Sequence, residues 1–172
     1  MNRRGLITLI QVLVAISVIL AILIFGLISV CDGQEIEELD SLKRRVVVRE
    51  ALSEHIGGQI DVYLEGSPMA GLGPSMAEEG KRTGIDPRIC AAVAAAESSL
   101  GRACFALHNA WGMLADGGYS SWEAGIIRWF DNCLNHWGQV SSAYQMPGYC
   151  VPDYPWMPNV EGQLNYIRGI IP

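Results

Sequence analysis

The sequence predicts a mostly α-helical domain with one small β-hairpin, preceded by an N-terminal transmembrane helix and a helical stalk. Three observations lead to this prediction: an apolar run near the N-terminus, a charged stretch with apolar residues at helical spacing, and repeated helix-capping and glycine signals towards the C-terminus. The predicted segments of the 172-residue chain are an anchor over residues 1–31, a stalk and linker over 32–66, and a helical domain over 67–172.

The anchor is predicted from residues 5–30, which are almost continuously apolar and long enough to cross a bilayer as a helix. Arginines precede the run and acidic residues follow it, so the positive-inside rule places the N-terminus in the cytoplasm and the C-terminal domain outside. A cleaved signal peptide is the alternative, but its apolar core is usually about 7–15 residues and ends at a small-residue site. A lipoprotein site at Cys31 is disfavoured by the bulky Val30 before it.

The stalk is predicted from the charged residues 35–56, where Leu39, Leu42 and Val46 recur at helical spacing. Arg49 interrupts the apolar seam, which favours a monomeric stalk over a coiled coil. Gly57-Gly58 is expected to end the helix, and a linker rich in glycine and proline then leads to the domain.

Four helices are predicted in the domain from their terminal signals. The first begins with the capping box Ser75–Glu78 and stops near Gly84, and the second runs from Asp86-Pro87 through Leu100 to Gly101. The Asp116-Gly117-Gly118 turn predicts the small hairpin. The last two helices are predicted from Ser120-Ser121 to about His136 and from Pro158 onwards.

Charge and cysteine content limit the classes of function. The formal net charge of −6 argues against a general nucleic-acid binder, which needs a basic face. Four of the five cysteines lie in the C-terminal part and predict two disulfides if the domain is exported. Buried free thiols and a zinc site are the alternatives, although no C-x-x-C pair supports zinc. The four are Cys90, Cys104, Cys133 and Cys150.

Glu97 is the one charged residue inside the alanine-rich second helix. It follows Cys90, Val93 and Ala94 in the i, i+3, i+4, i+7 pattern, so it shares a face with core residues. Burial disfavours the ionised form of a carboxyl and raises its pKa, as a general acid requires. The alternative is a half-exposed glutamate that only solubilises the last turn or pairs with Arg102.

Three ordered segments resemble the lysozyme-like superfamily of lytic transglycosylases, goose-type lysozymes and endo-β-N-acetylglucosaminidases. They are Gly84–Pro87, Ala91–Gly101 and Asn109–Gly112, within a resemblance that covers about residues 67–170. In that superfamily a helix ends in a Glu-Ser step followed by a glycine, and a later Asn-x-x-Gly step begins a substrate-binding hairpin. The resemblance implies Glu97 as the acid, Ser98 as a supporting residue, and Asn109, Trp111 and Gly112 as walls of a cleft.

Aromatic residues are plentiful for a domain of this size, and sugar rings stack on aromatic faces. Trp111 and Tyr149 are predicted to face the cleft. The alternative is that several aromatic residues, especially Trp122, Trp129 and Trp137, simply lie in the core. Most glycosidases use two carboxylates. Asp116 is the leading candidate for a second acid because it lies on the predicted hairpin, but lytic transglycosylases function with one glutamate.

The sequence therefore predicts a membrane-anchored enzyme that cleaves peptidoglycan glycan strands and uses no metal or cofactor. An envelope assembly or secretion complex is a candidate partner, because an anchored enzyme acts only near the membrane. One alternative is a non-catalytic cell-wall-binding or structural module with the same fold. Another is a Cys104–His108 nucleophile pair like that of papain-like amidases, although both residues follow a glycine stop in a loop.

Overall fold

The computed structural model describes the backbone of residues 3–172 and the side chains of residues 16–23 and 37–172. No strand occurs in this part of the chain, so the mostly α-helical class is confirmed and the predicted hairpin is wrong. The elements are α1 (Arg3–Leu64), α2 (Gly73–Thr83), α3 (Pro87–Ser98), α4 (Trp122–Trp137), a 3-10 helix (Ala143–Gln145) and α5 (Asp153–Arg168).

The chain divides into two compact units, residues 1–48 and residues 49–172. Within the described ranges, no helix is both long and apolar enough to cross a membrane. Most side chains of the predicted anchor, at residues 5–15 and 24–30, lie outside the described residues, as does that of Cys31. The second unit begins well before residue 67, where the domain boundary was predicted.

Helix α1 continues through Gly57-Gly58 to Leu64 instead of ending at the two glycines. Its last turns belong to the second unit, where Ile60 and Leu64 are fully buried. A Cβ on Gly73 would lie 2.1 Å from the carbonyl oxygen of Gly57, so the backbones of α1 and α2 touch. Close backbone packing therefore offsets the helix-breaking tendency of glycine.

Helix α2 begins at Gly73, two residues before the predicted capping box at Ser75. The Gly73 amide donates a hydrogen bond to Asp61 Oδ1 at 2.7 Å, so a carboxylate of α1 satisfies one end amide of α2. The helix ends at Gly84, as predicted, and this glycine takes the left-handed conformation.

Helix α3 has the predicted start but an earlier end. The Asp86 carboxylate accepts a hydrogen bond from the Arg88 amide at 3.1 Å, which confirms the N-cap. The helix ends at Ser98 because residues 99–101 all take positive φ angles, of 53°, 60° and 81°. Glu97 consequently lies in the last turn of α3.

The loop that was predicted as a hairpin is held by a side chain. The Asn109 amide nitrogen donates to the carbonyl oxygens of Met113 at 3.0 Å and Gly117 at 2.6 Å. The Tyr119 amide donates to Leu107 O at 2.8 Å. Bonds from a buried asparagine replace the ladder of a hairpin, so the glycine-rich turn does not pair two strands.

Helices α4 and α5 enclose α3. Ser121 caps α4 by accepting a hydrogen bond from the Ala124 amide at 3.2 Å, as predicted. Helix α5 begins at Asp153, five residues before the predicted start at Pro158. The largest fully buried side chains of the shared core are Trp111, Trp129, Phe130, Ile60, Leu64, Met69, Met76, Ile85, Ile89, Ile126, Met146 and Leu164.

Candidate active site

A cavity of about 350 Å³ opens beside the last turn of α3. It is lined by Glu97 and Ser98, by parts of the loop over residues 103–114, and by residues 149–151 before α5. Among these lining side chains, all of which the structure describes, Glu97 supplies the one carboxylate. The volume lies within the range of about 300–1,000 Å³ that is usual for ligand pockets.

Both carboxylate oxygens of Glu97 have defined surroundings. Oε1 accepts a hydrogen bond of 2.6 Å from the indole nitrogen of Trp156. Oε2 lies against the backbone of Gly112. A Cβ atom added to Gly112 would be only 2.6 Å from this oxygen. Gly112 has a φ of 68°, so glycine suits both the backbone conformation and the close approach.

Burial raises the pKa of the half-buried Glu97 carboxyl, and the hydrogen bond from Trp156 partly opposes that increase. No cation pairs with this carboxylate among the described residues. The predicted alternative partner, Arg102, instead donates to the carbonyl oxygens of Ser99 at 3.1 Å and Gly66 at 2.8 Å. Glu97 is therefore a carboxyl that holds its proton to higher pH than an exposed glutamate.

Trp156 is itself held by a network of aromatic residues. Its ring stacks on Tyr149 with centroids 4.8 Å apart and planes 14° apart. The Tyr149 hydroxyl donates to Trp111 O at 2.6 Å and accepts from Trp129 Nε1 at 3.0 Å. This network fixes the orientation of the indole that binds Glu97.

Nothing in the sequence around Trp156 singles it out among the aromatic residues. It lies 59 positions from Glu97, and no local motif links the two. The contact arises only where α5 crosses the end of α3.

Four of the residues predicted for the site line this cavity, namely Ser98, Asn109, Gly112 and Tyr149. The nearly buried Ser98 hydroxyl donates to Ala94 O at 2.9 Å and accepts from the Gly101 amide at 2.9 Å. It thereby fixes the turn that follows Glu97. Asn109 shapes the opposite loop through the hydrogen bonds described above.

The structure corrects the predicted position of Trp111. Its side chain is fully buried, and its indole nitrogen donates to Cys90 O at 3.0 Å. Trp111 does not line the Glu97 cavity, although it contributes to the lining of a neighbouring cavity.

The structure places Asp116 outside the lining of the Glu97 cavity. Arg128 donates to both of its oxygens, at 2.9 and 3.1 Å, and Tyr119 and Asn132 donate to Oδ2 at 2.9 and 3.3 Å. These hydrogen bonds, led by that from Arg128, lower the pKa of Asp116. Such an ionised and fully bonded carboxylate fits a structural role in the loop.

The two predicted disulfides are absent, since all four cysteines described are free. Cys90 and Cys133 are buried in the core, where a thiol packs as a small apolar side chain. Cys104 and Cys150 line the Glu97 cavity, and burial is the main factor that raises the pKa of each thiol. A raised thiol pKa leaves little thiolate for nucleophilic attack.

The alternative Cys104–His108 pair does not form. The thiol of Cys104 contacts Gly101 O at 3.5 Å. The His108 ring bonds through Nδ1 to Tyr119 O at 3.0 Å and packs edge-on against Trp122, with centroids 4.9 Å apart. Each side chain therefore has a separate structural contact.

In the part of the chain that the structure describes, no three His, Cys, Asp or Glu residues are grouped so that they could hold a metal ion. Comparisons with protein-family models, curated proteins and solved structures found no match for this chain. The function must therefore be inferred from the site itself.

Replacing Trp156 with Phe is expected to raise the pKa of Glu97 further. The indole hydrogen bond favours the ionised carboxylate, so its loss leaves burial unopposed. The measurement is the titration of the Glu97 carboxyl carbon by NMR. Trp122→Phe is the control, because this partly buried indole packs against His108 and should leave that pKa unchanged. An unchanged or lower pKa in Trp156→Phe would contradict the assigned contact.

Proposed function

We propose that this protein cleaves the β-1,4-linked glycan strands of peptidoglycan, with Glu97 as the general acid. The observation that carries the proposal is a single half-buried carboxyl with a raised pKa, held by an indole in a ligand-sized cavity. A carboxyl with a raised pKa keeps its proton to higher pH, which suits it to give that proton to a leaving oxygen.

In this proposal the two oxygens of Glu97 have different tasks. Oε1 accepts the hydrogen bond from Trp156, so the acidic proton belongs on Oε2, beside Gly112. The absence of a side chain at Gly112 leaves room for the glycosidic oxygen next to Oε2. As the proton moves to that oxygen, the bond between it and the anomeric carbon breaks, and positive charge develops on the sugar.

The lone carboxylate favours chemistry in which the substrate replaces a second acid. The acetamido group of an N-acetylated sugar can stabilise the anomeric carbon, as in substrate-assisted glycosidases. The sugar's own 6-hydroxyl can then attack that carbon and give its proton to the Glu97 carboxylate. This restores the acid and leaves a 1,6-anhydro product, as in the lytic transglycosylases that the sequence resembles. We therefore favour transglycosylation over hydrolysis.

The helical architecture supports this proposal at the level of the local fold. Helix α3 ends with Glu97-Ser98, and the loop over residues 109–112 returns to the carboxylate, as the lysozyme-like resemblance implies. We further infer that the domain acts outside the cytoplasmic membrane, tethered by residues 5–30, since its proposed substrate lies there. An envelope assembly or secretion complex remains our proposed partner, and a membrane pull-down that recovers no such complex would remove it.

The proposal is tested by incubating the purified full-length chain with purified peptidoglycan and analysing soluble products by mass spectrometry. Products with 1,6-anhydro ends are expected. Reducing N-acetylglucosamine ends would indicate a glucosaminidase, and reducing N-acetylmuramic acid ends a muramidase. Binding to peptidoglycan without any product would instead support the alternative, a non-catalytic cell-wall-binding module.

Asp116→Asn is expected to retain at least about half of the lytic activity and to lower the melting temperature by roughly 2–5 °C. The carboxylate stabilises the loop through hydrogen bonds and an ion pair with Arg128. The measurements are peptidoglycan clearing and thermal unfolding. Asp131→Asn, which removes another ion pair of α4 with Arg82, is the matched control. A loss of activity of about 100-fold or more in a folded Asp116→Asn variant would make Asp116 a second acid.

A further inference from the structure

A second cavity, of about 290 Å³, lies directly beside the Glu97 cavity. Gly112 and Tyr149 line both cavities, so the two meet at these residues. The lining of the second cavity also includes His136 and Trp137 at the end of α4, and Gly148. A Cβ built on Gly148 would meet no atom within 4 Å, so the surface is open at this point.

Four rings form a continuous row from the carboxylate into this second cavity. Trp156, which donates to Glu97, stacks on Tyr149 at 4.8 Å. Tyr149 contacts Trp137 with centroids 5.7 Å apart, and Trp137 contacts His136 at 5.4 Å. The row thus runs from a buried indole at the carboxylate to an exposed imidazole at the surface.

Trp137 is only partly buried, so it does not fit the alternative of a core position. Its indole nitrogen donates to Pro147 O at 3.1 Å, which holds the ring in one orientation. The neighbouring His136 bonds through Nδ1 to Asn132 O at 2.8 Å, so its Nε2 is left for another partner. A fixed aromatic ring beside a free hydrogen-bonding group is well suited to a sugar.

We propose that this Trp137 cavity is a saccharide subsite, which binds an N-acetylated hexosamine of the same strand next to the residue at Glu97. The inference rests on the proposed function. One sugar face would pack against Trp137, and a hydroxyl or acetamido group would bond to His136 Nε2.

The chemistry of the lining favours a sugar over the stem peptide of peptidoglycan. Stem peptides carry carboxylates and ammonium groups, which require charged partners when they leave water. The described side chains that line this cavity include no Asp, Glu, Lys or Arg. Neutral aromatic walls match the C–H face of an uncharged N-acetylhexosamine.

The test measures the binding of the N-acetylglucosamine tetramer to full-length protein that carries Glu97→Gln, by tryptophan fluorescence or calorimetry. Adding Trp137→Ala is expected to weaken binding roughly tenfold, as the loss of one aromatic contact implies. Adding Trp137→Phe should retain most of the affinity. Tyr144→Ala is the matched control, because Tyr144 is 59% exposed on the 3-10 helix and lies outside the ring row. Thermal unfolding of each variant verifies that it is folded.

Unchanged tetramer affinity in a folded Trp137→Ala variant would overturn the subsite. A parent protein that does not bind the tetramer would overturn it as well, whatever its lytic activity. In the Glu97 protein, Trp137→Ala should raise the KM for peptidoglycan by a similar factor, because it weakens substrate binding. The proposed function has a separate test: it is wrong if the protein with Glu97 and Trp137 both intact releases no product from peptidoglycan.

Discussion

Glu97→Gln is expected to reduce the release of peptidoglycan fragments by about 10²- to 10⁴-fold, which is the usual contribution of a general acid. The amide has nearly the same size and can still accept a hydrogen bond from Trp156, so the fold and the aromatic contacts are preserved. It cannot, however, give a proton to the glycosidic oxygen. The measurement is the initial rate of product formation from purified peptidoglycan.

Glu65→Gln is the matched control for this prediction. Glu65 is exposed in the turn after α1 and does not line the Glu97 cavity, so its replacement should leave the rate unchanged. Thermal unfolding of both variants separates catalysis from folding. A folded Glu97→Gln protein with the parental rate would disprove the role of Glu97 and leave the non-catalytic module as the better interpretation.

Gly112→Ala is expected to lower both activity and stability. The new methyl group would lie 2.6 Å from Oε2 of Glu97, so the carboxyl must move away from Trp156 or the loop must shift. The left-handed φ of 68° adds about 1–2 kcal/mol of backbone strain for a residue with a Cβ. We expect more than about tenfold loss of activity, because small displacements of a catalytic group are costly.

The chain offers a closely matched control for this substitution. Gly66 has a φ of 67°, and a Cβ at that position would meet no atom within 4 Å. Gly66→Ala should therefore carry a similar stability loss, measured by denaturant unfolding, with parental activity per folded molecule. If the two variants lose activity equally, the effect of Gly112 comes from stability alone and its contact with Glu97 has no catalytic importance.

Local signals in the sequence predicted several helix ends correctly. Asp86 caps α3 and Ser121 caps α4, because an N-cap is a contact between a side chain and amides two or three residues away. The same local logic placed Glu97 near the end of α3 on a partly buried face. These features depend on neighbours along the chain, which the sequence displays directly.

Signals that compete with tertiary contacts were misleading. Gly57-Gly58 does not end α1, because the Gly57 backbone packs closely against Gly73 of α2 and this contact stabilises the helix. Asp116-Gly117-Gly118 does not form a hairpin, because Asn109 bonds the carbonyl oxygens of the loop. The cysteine count suggested pairs, but two thiols pack in the core and two line the cavity.

The sequence by itself determined the helical class, the cap of α3 and the position of Glu97 near the helix end. The tertiary structure alone decided what surrounds that carboxyl. Trp156 reaches it from 59 residues away, Gly112 lies against its other oxygen, and Asp116 is kept outside the cavity. The physical reason is that the pKa of a buried carboxyl depends on which distant segments exclude water from it and on which group donates a hydrogen bond to it. Neither can be predicted from the residues next to it in the sequence.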